Sequence, residues 1–161
     1  MPNWCANNLT LEHSDPQMID RVEAAVKEGK LLNTFVTRPE DQEEDWYNWN
    51  VTNWGTKWDV GDEHSVYEKS PNSITLSFDS AWAPPTATYT IFEELGFTVT
   101  ATYYEPGMAF CGRFIEGCDD YYEYGGLSAD EVRDTIPSEL DEEYGISDYI
   151  EEWESENEDE E

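Results

Sequence analysis

The chain has 161 residues, with 38 Asp and Glu against 8 Lys and Arg, a formal net charge of -30. That balance excludes unaided binding to nucleic acid and to anionic membrane surfaces, because both reward positive charge. Aromatic residues reach 14%, with seven Trp and ten Tyr, too many for a wholly disordered acidic segment, and no apolar run approaches the ~20 residues of a membrane-spanning helix.

Residues 4–12 end in an alternation that sets Leu9 and Leu11 on one face, the period of a strand. Ser14 as N-cap, Pro16 in the first turn and Gln17 completing a capping box then predict a helix over 15–28. Met18, Ile19, Val22, Ala25 and Val26 form its buried stripe and Gly29 its left-handed stop. Residues 30–63 read as an insert: an apolar start at Leu31, Leu32, Phe35 and Val36, an acidic loop over 40–45, and a short helix with Trp46, Trp49, Val51 and Trp54 on one side, ending at Gly55.

Period-two segments at 65–69 and 73–80 flank Ser70-Pro71-Asn72 and predict a hairpin. A second helix is expected over 86–95, with Tyr89, Phe92 and Leu95 inward and Gly96 as its stop. Strands are expected at 97–104, 108–115 and 119–124. Without the insert and the last strands, the order is the βαββαβ of the ferredoxin-like fold. Beyond Gly126, Ser128 and Glu131 make a second capping box. Pro137 and Gly145 divide the C-terminal region into short helices, and Ile146, Tyr149, Ile150 and Trp153 recur at helical spacing. The expected organisation is a ferredoxin-like α+β domain over 1–126, an acidic helical extension over 127–153 and a disordered acidic tail over 154–161.

Four segments in succession, MPNWCANNLTLE, WYNWNVTNWGTKWD, FDSAWAPP and YYEPGMAFCG, resemble the YubB-type ferredoxin-like domain family of phage and plasmid proteins, over about residues 1–117. The resemblance implies the fold and a mobile-element origin. It brings no catalytic residues, and the acidic region from Glu116 onward lies outside it.

Chemistry has little foothold in this sequence. His13 and His64 stand in no recognisable nucleophile motif, there is neither a P-loop nor a GxGxxG, and Cys111 and Cys118 are not a zinc-type pair. Asp59, Asp62 and Glu63 lack the EF-hand pattern. We therefore expect no enzyme, no catalytic residue, no metal and no cofactor. Three cysteines cannot all pair internally and the N-terminus has no basic, apolar leader, which points to a reducing cytoplasm, that of the host cell for a phage protein. The Trp-rich segment with Lys57, Trp58 and Trp82 reads first as core, with Trp54 and Trp58 structural, and second as a pocket.

The strongest functional signal is charge. Residues 116–161 carry 20 acidic side chains and one base, Arg133, and residues 139–161 alone carry 13 carboxylates. As one helix, residues 139–161 would place a charge every ~2.7 Å, between the spacings of double- and single-stranded nucleic acid. The expected role is a non-enzymatic mimic of nucleic-acid charge that inhibits a basic host nucleic-acid-binding defence protein without itself binding nucleic acid. The contact residues would be Glu139, Asp141, Glu142, Glu143, Tyr144, Asp148, Tyr149, Glu151, Glu152 and Trp153. The alternatives are a ligand-binding or catalytic protein built on the Trp-rich insert, and a halophilic or solubilising charge coat.

Overall fold

Alternating apolar residues along the strands give one sheet with two unlike faces, and the helices sort onto those faces. The computed structural model describes residues 3–158. In chain order the elements are β1 (Trp4–Glu12), α1 (Pro16–Lys27), α2 (Leu31–Phe35), a single 3-10 turn (Glu40–Gln42), α3 (Trp46–Asn53), β2 (Val66–Ser70) and β3 (Ser73–Ala81). Then come α4 (Thr86–Glu94), β4 (Thr98–Glu105), β5 (Phe110–Ile115), β6 (Cys118–Glu123), α5 (Ala129–Thr135), α6 (Ser138–Tyr144) and α7 (Ile146–Glu158). The six strands form one antiparallel sheet in the order β2-β3-β1-β4-β5-β6.

The first face is apolar. Leu9 and Leu11 of β1, Ile74, Leu76 and Phe78 of β3, and Val99 and Ala101 of β4 meet Ile19, Val22 and Val26 of α1 and Tyr89 and Phe92 of α4 in one continuous core. The expected pair of helices thus lies on one side of the sheet, with α2, Trp54 and Val60 sealing the layer. Trp54 is buried, donates its indole N–H to the Val36 carbonyl at 2.7 Å and meets Trp49 edge-on. Gly61 is required where the insert returns across α1, because a Cβ there would overlap the Val26 carbonyl and side chain.

The second face is polar along β1 and β3, with Asn8, Thr10, Thr75 and Ser77 upward. It becomes apolar only toward β4–β6, where Tyr104, Cys111 and Tyr122 lie. There the C-terminal helices dock: Val132, Ile136, Leu140 and Ile146 close over Cys111 and Tyr124 in a second, smaller core. Tyr144 stacks on Tyr104 with ring centroids 5.2 Å apart.

Local chemistry explains where the structure departs from expectation. The side chain that caps α1 is Asp15, which accepts the Gln17 N–H at 3.0 Å, in place of Ser14. Leu95 is exposed because α4 ends at Glu94 and the chain turns out through Gly96. In place of the disorder expected from residue 154, α7 runs to Glu158: Glu154 accepts the Ala129 N–H and so ties α7 to the start of α5. The rest of that expected tail, residues 159–161, lies outside the described residues. As expected, Gly145 divides the acidic region, its φ of 64° separating α6 from α7.

Removing the Trp54 ring leaves a void in the main core and an unpaired Val36 carbonyl. Trp54→Ala is therefore expected to cost ~3–5 kcal/mol in urea unfolding, whereas Trp58→Ala, at a half-exposed ring, falls within ~1 kcal/mol of wild type.

Candidate functional site

Two surfaces stand out once the fold is in place: the outside of the acidic helices and an aromatic ribbon beside α3. The acidic helices begin well capped, with the Ser128 hydroxyl accepting the Glu131 N–H at 3.2 Å. Arg133 binds α5 to α7 through Asp130 (3.2 Å), Asp148 (3.5 Å) and Glu151 (2.7 Å). These contacts are solvent-exposed, so they orient the helices more than they stabilise them. The same three helices carry the further exposed carboxylates of Glu131, Asp134, Glu139, Glu142, Glu152 and Glu156.

The ten residues expected to meet a partner divide in three. Glu139, Glu142, Asp148, Glu151 and Glu152 are exposed carboxylates, and Tyr149 and Trp153 are outward-facing aromatics at 64% and 58% exposure. The last two break the expected apolar stripe of α7, since only Ile146 and Ile150 reach the core. Glu143 is exposed but faces the sheet, where one carboxylate oxygen accepts from Asn8 Nδ2 and Thr102 Oγ1, both at 2.9 Å.

Asp141 and Tyr144 do not belong to a contact surface. Asp141 is buried and accepts the Ser147 N–H at 2.7 Å and the Ser147 hydroxyl at 2.6 Å, capping the first turn of α7. Tyr144 is held between Tyr104, Thr102 and Asn8, and burial raises its phenol pKa. The sequence signal was available for Asp141, an acidic residue ahead of a Gly-Ile-Ser helix start.

The aromatic ribbon departs from the reading of the Trp-rich segment as core. Trp49 and Trp54 pack inward, but Trp4, Trp46, Trp58 and Trp82 are 36–48% exposed. Trp46 meets Tyr47 edge-on, Lys57 stands 5.6 Å from the Tyr47 ring and 4.5 Å from that of Trp58, and Trp58 lies 6.1 Å from Trp4. Lys57 forms no ion pair among the described residues and is held by ring faces instead. Trp82 adopts φ 72°, a left-handed conformation that a bulky residue rarely takes, pinned by its N–H to the Asn3 carbonyl at 2.8 Å.

Among the described residues no three of His, Cys, Asp or Glu converge to hold a metal ion, and no helix is long and apolar enough to cross a membrane. Asp59 accepts the N–H groups of Leu32, Asn33 and Val60 at 2.7–2.9 Å, so it closes the insert on itself, and burial raises its pKa. Burial also pushes the thiols of Cys5 and Cys111 up to about 12. Cys118 is exposed, and the charge of Asp120 beside it raises its pKa.

No family model, no curated protein and no solved structure matches the chain.

This geometry makes thiol reactivity and capping testable. Because the thiolate is the reactive form, iodoacetamide at pH 7.5 labels Cys118 alone in the native protein, slowly, and labels all three cysteines in guanidinium. Labelling of Cys5 or Cys111 without denaturant contradicts the packing described. Asp141→Ala leaves the Ser147 N–H unpaired and costs about 1–2 kcal/mol in chemical denaturation, whereas Glu142→Gln one position on leaves stability unchanged or slightly raised.

Proposed function

We propose that the protein is a non-enzymatic binding protein whose acidic C-terminal helices mimic nucleic-acid charge and engage a basic, nucleic-acid-binding protein of the host cytoplasm, inhibiting it. The observation that supports this reading is the second core. A solubilising tail needs no packing, yet Val132, Ile136, Leu140 and Ile146 bury themselves against the sheet and hold their neighbouring carboxylates in fixed positions. Fixed like charges on one surface create a field that steers a basic partner and lose little entropy when they bind it. The reading of the chain as a YubB-type protein of a phage or plasmid belongs to the same proposal. Its support is the four-part motif together with the strand order β2-β3-β1-β4, which is the order a ferredoxin-like βαββαβ unit would give.

A second reading is favoured by the ribbon from Trp46 to Trp4, since a contiguous exposed aromatic patch commonly marks an interaction site. On that reading the Trp-rich insert binds the ligand or partner and the acidic helices serve solubility.

Host proteins retained by the immobilised chain at 50 mM salt and released at 500 mM salt would supply the partner, which is then isolated. Asp134→Asn, Glu139→Gln, Glu142→Gln, Glu151→Gln and Glu152→Gln combined should lower its association rate at least tenfold, leave dissociation within about threefold and preserve the fold by circular dichroism. Duplex DNA should compete for the same partner. Equal binding by wild type and the neutralised variant returns the function to the aromatic ribbon.

A further inference from the structure

The second face of the sheet is only half covered. The docked helices cover β4–β6 and reach β1 at Asn8, through Glu143 and Tyr144 of α6, while the other upward side chains of β1 and β3 are Ala6, Thr10, Thr75, Ser77 and Asp79. This bare strip is the floor of two clefts that share Ser77. One, of about 430 Å³, runs over Thr10, Thr75 and Thr100 between Tyr67 and Glu143. The other, of about 390 Å³, continues over Ala6 and Asp79 to Trp4, Asp62 and His64. Together they follow β1 from Thr10 to Trp4, six residue steps or ~20 Å of extended chain.

We propose that this trough receives an extended, arginine-bearing segment of a protein partner. The length fits about six extended residues. Short of Asp79 the floor is uncharged and lined by hydroxyls: Thr10 and Thr75 pair across the strands at 3.0 Å, and the hydroxyls of Ser77 and Thr100 form no hydrogen bond among the described residues. Such a floor offers donors and acceptors to peptide groups and guanidinium N–H alike.

The walls select the cation. Asp79 and Asp62 stand at one end. At the other, Glu143 Oε1 takes up the sheet's two donors, Asn8 and Thr102, and Oε2 accepts no hydrogen bond among the described residues. Asp62 Oδ1 already accepts from the His64 N–H and the Ser65 hydroxyl, so the oxygens open to a guanidinium are those of Asp79, Asp62 Oδ2 and Glu143 Oε2.

Aromatic rings stand at both ends. Tyr67, 79% exposed, overhangs the first cleft, and Trp4 ends the second. Lys57 already occupies the Trp58 ring at 4.5 Å, which leaves Trp4 for an incoming guanidinium. Anionic segments are excluded by the wall carboxylates and by the overall charge of -30.

The proposal rests on the reading that the partner is basic, and it names the part of that partner which is gripped. The probe is the blocked hexapeptide Arg-Ser-Arg-Ser-Arg-Ser, titrated by calorimetry and Trp fluorescence at 150 mM salt. Ser77→Lys places a cation mid-trough from an exposed position and removes no side-chain hydrogen bond of the native fold. It and Asp79→Asn should each weaken peptide binding tenfold or more, with unchanged circular dichroism. Glu151→Gln with Glu152→Gln, which removes more charge from the outer helices, should change it less than twofold. Equal weakening by the two sets, or no peptide binding at all, overturns the trough. Failure of the wider reading looks different: outer-helix neutralisation would leave binding of the whole partner protein intact, whatever the peptide does.

Discussion

The seam between Tyr104, Cys111 and Tyr122 on the sheet and Val132, Leu140 and Ile146 on the helices converts a run of carboxylates into a surface. Without it, α5–α7 are short segments of 7, 7 and 13 residues, below or near the length at which isolated helices hold together in water. Their like charges would then push them apart. Burying six or so apolar side chains, at ~1.5–3 kcal/mol each before entropy is counted, opposes that repulsion. Arg133, the one base of the region, is spent at the joint between α5 and α7, where three carboxylates meet. Salt screens the repulsion and leaves the seam untouched, so the extension grows firmer as ionic strength rises while its attraction for a basic partner fades.

The same alternation that builds the seam also leaves the trough. On β1 the residues pointing to the helices are Cys5, Asn7, Leu9 and Leu11, and those pointing away are Ala6, Asn8 and Thr10. The second face meets apolar side chains of the helices only at β4–β6, and it is covered chiefly there. The result is a molecule whose anionic helices stand beside a hydroxyl-lined strip with carboxylates and aromatic rings at its ends, and both surfaces suit a cationic polypeptide.

Much of this was legible in the sequence because it rests on local chemistry. The Ser70-Pro71-Asn72 turn, the stripe from Ile19 to Val26, and the Ser128–Glu131 cap each specify their element within a few residues, and each is present. What stayed hidden depends on distant packing. Helical spacing put Tyr149 and Trp153 on one stripe with Ile146 and Ile150, but the seam is only wide enough for the latter pair. Composition marked the tryptophans as core, yet α3 lies at the rim of the main layer, so Trp46 and Trp58 remain partly outside. Asp141 is the exception, a local cap onto Ser147 that the Gly-Ile-Ser helix start signals and that its many acidic neighbours mask.

The acidic helices act as a surface only if they are folded, and amide hydrogen exchange at 150 mM salt tests this most directly. The amides of Val132, Ile136 and Leu140, each bonded within α5 or α6 or at their caps, should exchange at least a hundredfold more slowly than an unstructured chain. Exchange of residues 129–150 at unstructured rates, with β1 and α4 still protected, would contradict the folded surface and leave the region a solvated tail.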